Sequence, residues 1–238
     1  MNPVTHERFN IEKRPGRFPD DVRFIIGAGY FGKRAATILR ESSGSPILII
    51  DRSEDRLAQV EDLPVEKIVS DGVGFLAENF QLLNPSAVIV PAIPVHLAAE
   101  WLKHYLDRSG LRVQSKEVPD EIIPALPYSW QGLEGTLLVS YADFFCPDDC
   151  PEPADHCPMT GEKRDPPLYE LFNRIDIPDY TTHVIRSRQL APGLGGFMVE
   201  DLRNLLARAT QGVGKWLVGT ACRCHGALTV LEICAERS

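Results

Sequence analysis

Residues 22–51 read VRFIIGAGYFGKRAATILRESSGSPILIID, and the order of residues in this stretch decides the fold. Val22, Phe24, Ile25 and Ile26 form a short apolar run that suits a buried strand. The run breaks into Gly27-Ala28-Gly29-Tyr30-Phe31-Gly32, after which Ala35, Ile38 and Leu39 continue from Phe31 at helical spacing. A second apolar run, Ile47 to Ile50, ends at Asp51, 19 residues past Gly32. Strand, G-x-G-x-x-G, helix, strand and acid in this order describe a dinucleotide-binding unit. Gly27 allows the tight turn, Gly29 lets the backbone approach a pyrophosphate, and Gly32 lets helix and strand pack closely. The helix N-terminus offers free N–H groups to phosphates, and Asp51 is placed to accept hydrogen bonds from an adenosine ribose. A glycine-rich turn that has lost its ligand would keep the same glycines; the flanking strand, helix and acid favour the nucleotide. A carboxylate repels a 2′-phosphate, so Asp51 favours NAD over NADP, and Arg52 beside it blunts that preference.

Outward from this unit the alternation continues. A short helix is expected through Leu57 and Val60, a strand over Val65 to Ser70, and a helix carrying Phe75, Leu76, Phe80 and Leu83. Ala87 to Val90 is a fourth strand closed by Pro91. Leu97, Trp101 and Tyr105 mark a helix ending near Ser109-Gly110, and Leu111-Arg112-Val113 begins a fifth strand. Strands alternating with helices imply a parallel sheet with right-handed crossovers. The expected class is α/β: a Rossmann-like doubly wound parallel sheet over 21–118. A proline-bearing arm over 1–20 precedes it, and a smaller, proline- and cysteine-rich α+β region over 119–238 follows.

In that last region eleven of the 19 prolines fall between Pro119 and Pro192. Thr136 to Tyr141 reads as a sixth strand of the same sheet, and Cys146 to Pro167 as a long acidic loop. Thr182 to Arg186 reads as another strand, and Pro192 to Gly196 as a loop before a helix with Leu202, Leu205, Leu206 and Ala209. Trp216 to Ile233 reads as two short strands around Cys224-His225-Gly226.

The bulk numbers bound the function. With 238 residues, 44% hydrophobic and 24% charged, the chain can bury a core. A net charge of −8 argues against nucleic acid or an anionic membrane as partner. The most apolar window, Ala87 to Leu102, is interrupted by Pro91, Pro94 and His96, too broken for membrane insertion. The N-terminus has no apolar signal-peptide core, so the expected compartment is the cytoplasm, with reduced thiols.

With FIIGAGYFGKRAATIL, ILIID, VSDG and SAVIV in view, residues 22 to 115 resemble the NAD(P)-binding TrkA-N or RCK domain of potassium-transport regulators. The resemblance implies a Rossmann-like domain that binds a nucleotide and reports its state to a partner. It assigns Gly27, Gly29, Gly32 and Asp51 to the glycine turn and the ribose acid, and Asp71 to the adenine side of the pocket. Gly27, Gly29, Tyr30, Phe31, Gly32, Asp51, Arg52 and Asp71 are therefore the candidate cofactor contacts. Siroheme-synthase-type dehydrogenases, whose turn is also glycine-rich, are a poorer match. The small C-terminal ligand domain of the regulators has no counterpart here, which puts a potassium-transport role in doubt.

All six cysteines lie after residue 145. Cys146, Cys150 and Cys157 have C-x3-C-x6-C spacing, and Cys222 and Cys224 share one face of a strand and can complete a set. Thiolates are soft, charged donors, so these five are candidate ligands for zinc or an iron–sulfur cluster. The spacing fits no standard zinc or ferredoxin pattern, and Asp148, Asp149, Glu152 and Asp155 add charge that opposes an anionic cluster. Small buried apolar residues and a redox dithiol at Cys222 and Cys224 stay open beside the metal, while Cys234 reads as core.

His96, near a strand end, is a candidate proton donor but reads better as a satisfied or surface histidine; His183 reads as structural. Lys33 and Arg34 suit a phosphate or a solvated face equally. No Ser-His-Asp set, paired carboxylates or P-loop is present, so a hydrolase has no support and no catalytic residue is identified. The leading expectation is a NAD(P)-binding Rossmann protein that senses redox or nucleotide state and contacts a protein partner or pairs as a homodimer. The alternatives are a NAD(P)-dependent oxidoreductase using the cysteine site, and a zinc-stapled scaffold without turnover.

Overall fold

The computed structural model describes residues 18–42, 44–154 and 156–235, and the chain divides into two compact units between Ala92 and Ile93. Most of the arm expected over 1–20 lies outside the described residues.

The first unit is a wound parallel sheet. β1 (Arg23–Ile26) leads to α1 (Tyr30–Ser42), β2 (Ile47–Asp51), α2 (Glu54–Ala58), β3 (Glu66–Val69), α3 (Gly72–Asn79), a short 3-10 turn and β4 (Val88–Pro91). Their order is β3-β2-β1-β4, all parallel, with Phe24 opposite Leu48 on one side and Ile89 on the other. All five residues of β2 are buried, as expected of a strand covered on both faces. Each large apolar side chain there contributes about 2 kcal/mol through burial. α1 turns Ala35, Ala36 and Leu39 onto the sheet and keeps Arg40 in its last turn, where a cation suits the helix dipole. Ser53 caps α2 by accepting from Arg56 N–H at 3.3 Å, and Asp71 caps α3 by accepting from Gly74 N–H at 2.7 Å. The strand order reverses between β1 and β4, which is where ligands enter such sheets.

The second unit is built on a long hairpin. It contains α4 (Leu97–Arg108), β5 (Arg112–Lys116), β6 (Tyr128–Gln131), β7 (Leu137–Ser140), α5 (Leu168–Asn173), β8 (Tyr180–Arg186), β9 (Arg188–Ala191), β10 (Leu194–Met198), α6 (Val199–Ala209), β11 (Gly214–Ala221) and β12 (His225–Cys234). β12 pairs antiparallel with β11 along its length, with β7 through His225 to Leu228, and with β5 through Val230 to Cys234. β8 adds to β11 in parallel and β6 to β7 antiparallel. Phe172 of α5 is fully buried over this hairpin, and a Cβ on Gly226 would stand 2.7 Å from its ring.

Three expectations are corrected. Leu111-Arg112-Val113 opens β5, which pairs antiparallel with β12 and does not extend the parallel sheet. Thr136 to Tyr141 supplies β7, again in the second unit's sheet. Pro192 to Gly196 is not a plain loop: Gly193, at φ 68°, turns the β9–β10 hairpin, and Gly195 and Gly196 lie in β10. For β5 and β7, short apolar runs look alike whichever sheet they join, and the β12 partner lies far off in sequence, whereas the glycines of β10 mask a strand that pairs with its neighbour β9.

Candidate functional site

The glycine turn connects β1 to α1. Gly27 takes φ 105°, a conformation that side chains disfavour, and its N–H donates to Ile50 O at 2.7 Å. A Cβ on Gly32 would stand 1.9 Å from Gly27 O, so helix and turn meet backbone to backbone there. A Cβ on Gly29 would meet nothing within 4 Å. The position that must leave room for a pyrophosphate thus opens on free space, and the residues fit the group. Tyr30 and Phe31, the first residues of α1, are 68% and 63% exposed with their rings edge to face at 5.2 Å.

Asp51 ends β2 and is 7% exposed. Its Oδ2 accepts from Ala28 N–H at 2.7 Å and its Oδ1 from Ser53 N–H at 2.8 Å, with Arg56 at 3.8 Å. The carboxylate therefore braces the glycine turn against β2. A carboxylate offers about four lone-pair sites, so acceptor capacity remains for a ribose hydroxyl. Arg52 donates from Nε to Asp71 Oδ2 at 2.6 Å, which ties the residue after β2 to the cap of α3. This pair is exposed enough to add less than about 1 kcal/mol, so its effect is to orient Arg52. Ala28 and Ser53 escaped the sequence reading because a backbone N–H donor leaves no trace in residue type, and the Arg56 guanidinium also went unmarked.

In the second unit, Cys157 is buried. Burial raises its thiol, but N–H groups of Met159 and Thr160, the Thr160 hydroxyl and the Arg164 guanidinium outweigh that and bring it down to about 7. Arg164, 6% exposed, also faces Cys224 and lies over the Tyr141 ring at 5.5 Å. Nothing in the sequence marked it. Burial first, then the charge of Cys150 and Cys157, pushes Cys146 up. Burial first and Glu152 second push Cys224 up to about 11 and Cys222 up to about 12. Cys222 Sγ accepts from Cys224 and His225 N–H, each at 3.3 Å, and lies 3.9 Å from His225 Nδ1; Cys146 Sγ is 3.5 Å from His225 Nε2. Charge on Cys150 and Cys157 acts on both Cys146 and Cys224, and Glu152 acts on both Cys222 and Cys224. Among the described residues, no three His, Cys, Asp or Glu side chains are grouped as a metal ion would need. Cys234 ends β12.

His96 is buried, with Nδ1 paired to Thr229 Oγ1 and Nε2 to Thr220 Oγ1, both at 2.9 Å. Burial brings its pKa down to about 4. His183 pairs with Arg208, and burial followed by that charge brings it down to about 4 as well. Among the described residues no helix is long and apolar enough to cross a membrane.

Comparison with known proteins agrees with this division. Residues 24–74 match the TrkA-N domain, a Rossmann-type dinucleotide-binding domain. Residues 98–234 match the AF_1314_C family, described as "Uncharacterized protein, C-terminal domain". An Archaeoglobus fulgidus protein, described as "Uncharacterized protein", is 36% identical over 221 residues, covering 87% of this chain and 98% of its own. A solved chain, "Structure of a putative methyltransferase from Thermoplasma acidophilum", is 17% identical over 44% of this chain and 60% of its own, with a TM-score of 0.28 too low to carry an argument. The chain belongs to the AF_1314_C family, with a TrkA-N domain ahead of that family's C-terminal domain.

Proposed function

We propose that the first unit binds NAD(H) in preference to NADP(H), and that the protein senses nucleotide or redox state and relays it to a partner. One observation carries the reading. Gly29 opens on free space between a left-handed Gly27 and a tightly packed Gly32, in front of the N-terminus of α1. Phosphates are stabilised there by backbone N–H groups and the helix dipole. The preference for NAD rests on Asp51, whose buried carboxylate disfavours a 2′-phosphate, and on Arg52, whose guanidinium is committed to Asp71. Sensing is favoured over turnover because His96, a candidate proton donor, has both ring nitrogens held by threonine hydroxyls. Calorimetric titration of the full chain with NAD and NADP tests the assignment. Asp51→Ala should weaken NAD by about tenfold and narrow the gap between the two cofactors. Unchanged affinities for both would remove Asp51 from the ribose site.

A second reading gives the thiol region a soft metal, zinc or an iron–sulfur cluster, on Cys146, Cys150, Cys157 and Cys224. The buried guanidinium of Arg164 favours it: besides its ion pair with Glu162 at 3.4 Å, it acts on Cys146, Cys157 and Cys224, and a buried cation favours anionic thiolates there. Closing on an ion would require the side chains to rotate from their present positions. Metal and labile-sulfide analysis after anaerobic purification should then find about one centre per chain, lost in Cys157→Ser. Equal metal content in wild type and Cys157→Ser refutes this reading.

A further inference from the structure

A cleft of about 450 Å³ opens in the second unit, well within the range of small-molecule sites. Its walls are Glu152 and Ala154 from the acidic loop, Arg186 to Gln189 at the junction of β8 and β9, and Arg223 in the β11–β12 turn. Three arginines share this cleft in a chain whose net charge is −8. Arg188 is matched, donating to both carboxylate oxygens of Asp201 at 2.7 and 3.4 Å. Arg186 and Arg223 form no ion pair among the described residues; Arg186 instead lies over the Tyr169 ring at 4.4 Å. Arg223 gives one terminal N–H to Ala154 O, while its Nε is buried with no acceptor among the described residues. Among the described residues, then, no carboxylate pairs with the Arg186 or Arg223 guanidinium in this concave polar site.

Glu152, the acid among the described wall residues, forms no ion pair with either guanidinium. Glu152 Oε1 accepts the Arg223 backbone N–H at 2.5 Å. The walls are fixed by backbone contacts: Gln189 Nε2 donates to Cys150 O at 2.8 Å, and Ser187 N–H to Ala221 O at 2.8 Å. A preorganised pair of guanidinium forks matches the oxygens of an oxyanion. With Glu152 counted, Arg186 and Arg223 leave the wall one net positive charge, which attracts a phosphomonoester carrying close to two negative charges at neutral pH. The volume exceeds what a phosphate alone fills, leaving room for an organic part.

We propose that this cleft binds a phosphorylated small molecule, its phosphate held by Arg186 and Arg223 with Ser187 and Gln189 beside them. The site is separate from the glycine turn and independent of the dinucleotide reading. The test is calorimetry on the full chain with two probes, inorganic phosphate and ribose 5-phosphate, at constant ionic strength. It is run in a Gly29→Val background so that phosphate binding at the glycine turn does not contribute. One saturable site is expected, tighter for ribose 5-phosphate, with Arg186→Gln and Arg223→Gln each weakening it by about tenfold. Arg186 is exposed, so Arg186→Gln decides the matter should Arg223→Gln fail to fold. No saturable binding, or the same affinity in Arg186→Gln as in its parent, overturns the proposal.

Discussion

At the scale of single residues, His96 shows how a polar side chain can be both buried and mute. Its two nitrogens meet Thr220 and Thr229, and Thr229 in turn meets Thr136 Oγ1 at 2.9 Å, so the polar atoms form one satisfied chain. Burial holds the ring neutral, with a pKa of about 4 against 6.5 in the unfolded chain. Between these values the unfolded state binds more protons, so stability is intact above pH 6.5 and declines as pH falls towards 4. This one group accounts for a loss of about 3 kcal/mol once pH drops below its folded pKa. Urea unfolding of wild type and His96→Asn at pH 7.5 and 4.5 checks it: the variant should lose less on acidification, and identical losses would remove His96 as the cause. Such a pairing was only half legible. The sequence marks His96 as a bland histidine, but the threonines lie more than 120 residues away.

At the scale of elements, the glycines separate two kinds of constraint. Gly193 has φ 68°, and a Cβ on it would stand 1.5 Å from Asp148 O, where the acidic loop presses on the β9–β10 turn. Gly161 has φ 71° with nothing within 4 Å of its Cβ position. Gly161→Ala should therefore cost only the left-handed strain, about 1 kcal/mol, and Gly193→Ala that strain plus a backbone displacement, about 3 kcal/mol or more. Equal shifts in denaturant midpoint for the two variants would show that the loop gives way freely. Elements whose signal is local were readable: β1, α1 and β2 follow from spacing within 30 residues, and Asp51 from its distance to Gly32. β5 and β7 were not, because an apolar run names a strand without naming its partner, and β10 was not, because its glycines read as a loop.

For the whole molecule, two units with different kinds of information make one chain. The first announces its chemistry in a compact motif, since phosphate binding demands glycines at fixed spacing next to a helix N-terminus. The second builds its sites from distant segments: Arg164 against Cys157 and Cys224, and Arg223 across from Arg186. No spacing rule anticipates either, so the cysteines were visible as residues while their surroundings were not. The central claim is that the glycine turn holds a dinucleotide, and titrating the full chain with NADH, beside Gly29→Val, tests it most directly. The account expects saturation at one NADH per chain and at least a roughly hundredfold loss in the variant, whose side chain would fill the open space before α1. Absence of binding in wild type, or equal affinity in Gly29→Val, would contradict it.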